Sequence, residues 1–388
     1  MTGGRLWAIA LVVLGAAARI GAAVWLGGSF HFIDEAIYVD AARRLLAGEG
    51  FGASYDNVPA YPLVLAGLAA PWPDQVVLVR VAQGVVTALG VVPLLWLGQR
   101  LLGAWPARVA GVLYALDPLM AVSGALLYAE AVATVVLMLA LLAAWSAVPD
   151  RPAWSALAGV LVGVMAQLRP VALVLAPVVA IWVAACVSRR RLPHALAVIA
   201  GCGLALVPWT LRNYRVHGGV VPISTAGTQS APVDPGDVAK HGLTASLARG
   251  MWSDPASALG RVGRELAHFW APYPTRLSTD DAQRRAAFHE QDPRLPTNVT
   301  FSPGLRDRVS ALTFGAEMAF ALVGVAMAWR HRRAAAALLV GVCIAYGLGY
   351  ALIVGKLRYR IPVLPCVFLS AGVAVARMPW LARRQPDV

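Results

Sequence analysis

Long apolar runs, interrupted by two extended polar stretches, organise this chain of 388 residues. A helix that crosses a bilayer needs about 20 apolar residues. By that measure the sequence predicts spans at roughly 6–28, 75–102, 107–124, 127–147, 153–169, 170–187, 193–211, 308–329, 334–355 and 361–378. The expected architecture is an all-α integral membrane bundle of about ten transmembrane helices, a single domain over residues 1–388. The first polar interruption, about 29–73, opens with SFHFIDEAIYVDAARRLLAGEG. There Ile37, Ala41 and Leu45 recur every four residues beside Tyr38, Ala42 and Leu46, while Asp40, Arg43 and Arg44 take the other face. That layout predicts an amphipathic helix lying on the membrane, stopped by Gly48 and Gly50. The stretch VPAYPLVLAGLAAPWP (58–73) is short and bounded by prolines, which suits a re-entrant or interfacial piece. The second interruption, about 212–308, is first rich in Pro, Gly, Ser and Thr. It then predicts an amphipathic helix with Leu259, Val262, Leu266, Phe269 and Trp270 on one face, and a short polar helix over DDAQRRAAFH.

Orientation follows from charge. If 58–73 does not cross, the short loops on the cytoplasmic side carry Arg5, Arg100, Arg108, Arg151, Arg189–Arg190–Arg191, Arg330, Arg332, Arg333, Arg377, Arg383 and Arg384. This obeys the positive-inside rule and predicts cytoplasmic termini with both polar interruptions outside. Arg5 before an apolar run has the look of a signal peptide. Arg19 interrupts that run, however, so an uncleaved first span is expected.

Composition sharpens the class. Hydrophobic residues make up 59% and charged residues 14%, against about 25% charged in ordinary globular domains, so this is a polytopic membrane protein. The formal charge of +13 does not indicate nucleic acid, because the basic residues are spread between apolar spans. Only Lys240 and Lys356 are lysines; the excess is arginine, which forks well onto phosphate oxygens. Cys186, Cys202, Cys343 and Cys366 all lie in apolar runs, so neither a disulfide framework nor a thiolate metal site is expected.

The chemistry sits at the predicted outer face. Asp34 and Glu35 lie side by side at a helix start, where Asp is both a good cap and a candidate general base; the sequence leaves both readings open. Arginines in outer helix ends and short outer loops run against the topology rule, and ionisable groups at membrane depth point to function. These are Arg19, Arg80, Arg169, Arg212 and Arg215, with Lys356, Arg358 and Arg360 in the last hairpin. Asn298-Val-Thr fits a glycosylation acceptor by pattern alone.

Three stretches together resemble one family. IDEAIYVDAARRLLAGEGF, PWTLRNYRVHGGVVPISTAGTQS and KLRYRIPVLP are similar to the first outer loop, the start of the large outer loop and the final outer hairpin of the bacterial protein-mannosyltransferase-like glycosyltransferases (glycosyltransferase family 39), which have the GT-C fold. LYAEAVAT around Glu130 and QLRPVALVLAP around Arg169 fit the same pattern. The resemblance implies inverting transfer of a sugar from a polyprenyl-phosphate donor to an envelope acceptor (lipid, glycan or protein) at the extracytoplasmic face.

On that reading Asp34 or Glu35 is the catalytic carboxylate, and Asp34 is the position matching the family's base. Arg358, Arg212, Lys356, Arg169 and Arg19 are candidates for the donor phosphate. Tyr38, Glu130 and Tyr359 are candidates for substrate contact. No cofactor and no metal ligand set is expected, with room left for a divalent ion between carboxylate and phosphate. The expected partners are the lipid-linked donor, the acceptor and the bilayer, without nucleic acid. The rival readings are a transporter or lipid flippase, and an envelope polymerase or ligase using polyprenyl-linked sugars. The first predicts repeated halves with broken helices at the midplane. The second puts its catalytic groups in the late outer loop.

Overall fold

The computed structural model describes residues 2–52, 57–218, 220–224, 242–273, 290, 293–294 and 303–378. Among them the chain is helical, with no strand. In order come α1 (Thr2–Leu26), α2 (Ile33–Leu46), α3 (Ala60–Ala69), α4 (Val76–Ala88), α5 (Val91–Leu101), α6 (Ala104–Leu116), α7 (Pro118–Ala125) and α8 (Ala129–Ala147). They are followed by α9 (Pro152–Leu168), α10 (Leu175–Cys186), α11 (Arg191–His217), α12 (Leu243–Ser253), α13 (Pro255–Phe269), α14 (Pro303–His331), α15 (Arg333–Ala351) and α16 (Leu364–Ala376). Tight 3-10 segments, Pro170–Val174 and Leu357–Val363, precede α10 and α16.

Among the described residues seven stretches are long and apolar enough to cross a bilayer: Gly4–Leu26, Val76–Leu101, Ala129–Ala147, Arg191–Val216, Asp307–His331, Arg333–Ala351 and Leu357–Ala376. The remaining expected runs are shorter or divided: 107–124 breaks into α6 and α7, 153–169 is the 17-residue α9, and 170–187 is a 3-10 turn followed by α10. α3 has 10 residues, about 15 Å of helix, too short to cross. α13 forms where the apolar stripe predicts it, whereas DDAQRRAAFH, Lys240 and Asn298 lie outside the described residues.

Burial separates the helices. The windows in α8 and Leu357–Ala376 are 72% and 89% buried and form the centre, while α1, α11 and α14, each 28% buried, present apolar side chains outward as lipid-facing helices do. Small residues bring backbones together: a Cβ on Gly159 would lie 2.0 Å from the Val198 carbonyl oxygen, so α9 and α11 can touch there only through glycine.

The break between α6 and α7 explains a buried arginine. Pro118 has no N–H to offer the Tyr114 carbonyl, and Asp117 caps the new helix by accepting from the Met120 N–H at 2.7 Å. The fully buried Arg19 reaches across from α1 and donates to the Tyr114 carbonyl at 3.2 Å and the Ala115 carbonyl at 3.5 Å. Arg19 therefore satisfies a proline-interrupted helix, and its expected place among the phosphate ligands is not where the fold puts it.

α2 also differs from its pattern. Ile37 and Leu46 are exposed, and the buried residues are Glu35, Ala36, Tyr38, Val39, Ala41 and Ala42. The helix has turned to carry Glu35 inward, and the cause is the ion pair described next.

Candidate active site

The N-cap residue of α2 is Phe32, in extended backbone, which makes Asp34 and Glu35 the second and third helical residues. Glu35 turns inward. Its Oε2 accepts from the backbone N–H of His31, the residue before the N-cap, at 2.7 Å. Its Oε1 accepts from Leu127 N–H at 2.9 Å and from Arg80 Nη1 at 2.6 Å. The Arg80 guanidinium also donates to the carbonyls of Gly27 (3.1 Å), Ser29 (2.8 Å) and Ala125 (3.1 Å). Both side chains are fully buried, so this pair fastens the 27–35 turn to the α7–α8 junction and leaves no carboxylate face for a substrate. Removing one partner of such a pair costs about 3–5 kcal/mol because the other charge is stranded. Glu35→Gln is expected to lower the unfolding temperature in detergent or nanodiscs by many degrees; an unchanged melt contradicts this structural role.

Asp34 turns the other way. Its Oδ2 accepts from Arg358 Nη2 at 2.5 Å, joining residues at opposite ends of the sequence, and both side chains remain partly exposed (31% and 25%). Arg358 also places its Nε 3.7 Å from Glu130 Oε1, and the other Glu130 oxygen pairs with Arg169. Four charged groups thus alternate in sign, from the partly exposed Asp34 through Arg358 and Glu130, which is 1% exposed, to Arg169. Tyrosine rings wall the array: the Arg358 guanidinium lies 4.6 Å from the Tyr128 ring centre and 5.1 Å from that of Tyr359, and Arg169 lies 5.7 Å from Tyr359. Arg358 Nε, Arg169 Nε and the Tyr128 hydroxyl are buried without a hydrogen-bond partner. Groups of that kind carry a desolvation cost that a polar ligand would relieve.

Each element supplies its residue from a helix end. Glu130 is in the first turn of α8, where a carboxylate suits the helix dipole. Arg169 follows α9 in extended backbone, imposed by Pro170. Arg358 sits in the 3-10 segment after Lys356. Burial alone would raise the Asp34 carboxyl, but the Arg358, Arg169 and Lys356 charges outweigh it and hold the group below the usual carboxylate range.

The other expected residues fall into two groups. Tyr359 and the exposed Lys356 are at the array. Tyr38 is buried behind it with its ring against Tyr61 (4.9 Å), and burial pushes its hydroxyl up to about 12. Arg212 is engaged elsewhere: it donates to the Gly52 carbonyl and to Asn213 Oδ1 (3.0 Å) and lies 4.7 Å over Trp209, tying the turn after α2 to α11. Tyr128, which the sequence leaves open between an interfacial anchor and a sugar contact, is also at the array. Its place two residues before Glu130, at the start of α8, is the signal that points to it.

Residues 56–211 match the family described as Dolichyl-phosphate-mannose-protein mannosyltransferase, a segment that includes Arg80, Glu130 and Arg169 but neither Asp34 nor Arg358. No curated protein matches the chain in sequence. Among solved structures, ArnT from Cupriavidus metallidurans bound to undecaprenyl phosphate is similar with a TM-score of 0.62 and 16% identity, over 96% of this chain and 60% of that one. ArnT in the apo state gives 0.64 and 15% identity over 97% and 60%. The archaeal oligosaccharyltransferase AglB from Archaeoglobus fulgidus, in complex with an inhibitory peptide and a dolichol-phosphate, gives 0.58 and 13% over 96% and 50%. This chain therefore spans about three fifths of the length of ArnT and half that of AglB. Taken with its all-helical bundle and membrane-spanning helices, the chain has the fold of the GT-C membrane glycosyltransferases, of which ArnT and AglB are examples.

Proposed function

We propose that the protein transfers a sugar from a polyprenyl-phosphate donor to a hydroxyl-bearing envelope acceptor at the extracytoplasmic face, with inversion. The observation that carries this reading is the Asp34–Arg358 pair at the mouth of the Glu130–Arg169 array. Three cations, Arg358, Arg169 and Lys356, act on the array against two carboxylates, Asp34 and Glu130. The surplus of one positive charge suits a sugar-linked monophosphate, which carries one negative charge. In this mechanism the arriving phosphate takes the Arg358 fork and releases Asp34. Asp34 removes the proton from the acceptor hydroxyl, whose oxygen attacks the anomeric carbon from the side opposite the phosphate. The bond from that carbon to the phosphate oxygen breaks, and its electron pair leaves with the phosphate, where the guanidinium groups meet the growing charge. No step is assigned to a metal ion.

Connectivity supports the extracytoplasmic face. Helix ends near Arg5, Arg151, Arg189–Arg191, Arg330–Arg333 and Arg377 are the ends opposite those that lead to Asp34, Glu130, Arg169 and Arg358. The positive-inside rule then puts the array outside and both termini in the cytoplasm. The deciding experiment is mass spectrometry of lipid extracts from a deletion strain. A polyprenyl-phosphate sugar is expected to accumulate and to be consumed when the purified protein is added back. Unchanged lipid-linked sugars, with no consumption of any such lipid by the purified protein, would defeat the proposal.

A further inference from the structure

The amphipathic helix α13 has no part in the chemistry above, yet it lies directly on the hairpin that carries Arg358. Three contacts hold it there. Arg261 Nη1 donates to the Leu352 carbonyl at 3.2 Å, where α15 ends. The Gly355 N–H donates to Glu265 Oε2 at 2.6 Å. Arg360, two residues beyond Arg358, reaches back beneath α13 and donates to the Ala271 carbonyl and, at 3.5 Å, to that of Phe269. The approach at Gly355 is backbone to backbone: a Cβ there would lie 1.9 Å from the Glu265 carbonyl oxygen, so only glycine fits. A ring stack continues the connection, Phe269 on Tyr350 (5.9 Å, 26°) and Tyr350 on Tyr359 (4.4 Å, 13°), with the Tyr359 hydroxyl 3.5 Å from Arg358 Nη2.

Short hairpins between spans have few intrinsic constraints, and a guanidinium fork is useful only if its backbone is fixed to a fraction of an ångström. Leu352 and Gly355 are the two points at which this hairpin is fastened on the N-terminal side of Arg358, and α13 supplies both partners. We infer that Glu265, through Gly355, is a positioning residue that sets Arg358 for the donor phosphate. The segment between α11 and α14 thereby helps to build the donor site. The inference rests on the phosphate role of Arg358 proposed above.

The test is binding of undecaprenyl phosphate to the purified full chain in nanodiscs, read as a double-mutant cycle with the melting temperature measured alongside. Glu265→Ala is expected to weaken binding about tenfold in a protein that still folds, with its melt lowered by no more than the loss of one charge-assisted hydrogen bond. Glu265→Gln keeps an acceptor for the Gly355 N–H and is expected to stay within about twofold. In an Arg358→Ala background, Glu265→Ala should add no further loss, because the group it positions is gone. Equal losses in both backgrounds, or none in either, overturn the inference. Arg261→Met removes the companion contact and should show the same dependence on Arg358 if Glu265→Ala does not fold. If Arg358→Ala binds undecaprenyl phosphate like the unaltered protein, the phosphate assignment falls and the positioning role falls with it. A failed cycle with a weakened Arg358→Ala removes only the role of Glu265.

Discussion

Asp34→Asn is expected to give a folded protein whose transfer is slower by about a hundredfold or more, the usual scale for loss of a general base. The structure makes this substitution cleaner than the sequence suggested. Phe32 is the N-cap residue and Asp34 lies inside the first turn, so Asp34 has no N-cap duty to lose. Asn keeps a carbonyl oxygen that can accept from Arg358 Nη2, and the pair is partly exposed, which limits the stability cost. What Asn cannot do is take a proton from an attacking hydroxyl. Thermal melting beside a transfer assay with the donor lipid recovered from the deletion strain separates the two effects. Turnover near that of the unaltered protein would remove Asp34 from the chemistry.

Part of this arrangement was legible in the sequence because it rests on local pattern. The spans follow from apolar length, α13 from a stripe of Leu259, Val262, Leu266 and Phe269, and the non-crossing α3 from its bounding prolines. Asp34, Glu130, Arg169 and Arg358 could each be singled out as charges beside the ends of apolar runs, where a charge needs a reason. Their pairing could not be read, since it joins residues across most of the chain. Nor could the sequence separate Asp34 from Glu35. Neighbours on a helix point about 100° apart, and which of the two faces inward was settled by Arg80, a residue on another helix. Arg19 was misplaced for a related reason. A buried arginine is read as an anion site unless one knows that Pro118 has orphaned a carbonyl within its reach, and that is a tertiary fact.

Arg358→Ala carries the other large expected effect. The hairpin residue contacts Asp34 directly, stands over two tyrosine rings and has a buried Nε without a hydrogen-bond partner. If it holds the donor phosphate and meets the charge that develops as the bond breaks, its loss should lower kcat as well as donor affinity. The expected outcome is a folded protein with transfer reduced by about a hundredfold or more, the scale seen when one charge-stabilising group is removed. Arg358→Lys should recover only part of this, because a point charge does not replace a fork. Arg333→Ala, at the opposite end of α15, should change neither kcat nor donor affinity. The pH profile gives an independent sign. Burial raises the Asp34 carboxyl while Arg358 is the foremost charge lowering it, so removing the guanidinium lets the carboxyl rise from where Arg358 holds it. The acid limb of the residual transfer in Arg358→Ala should therefore move to higher pH than in the unaltered protein, since the base now protonates sooner as pH falls. A limb that stays in place, with transfer and donor binding intact, would mean that Arg358 and Asp34 do not act on one substrate.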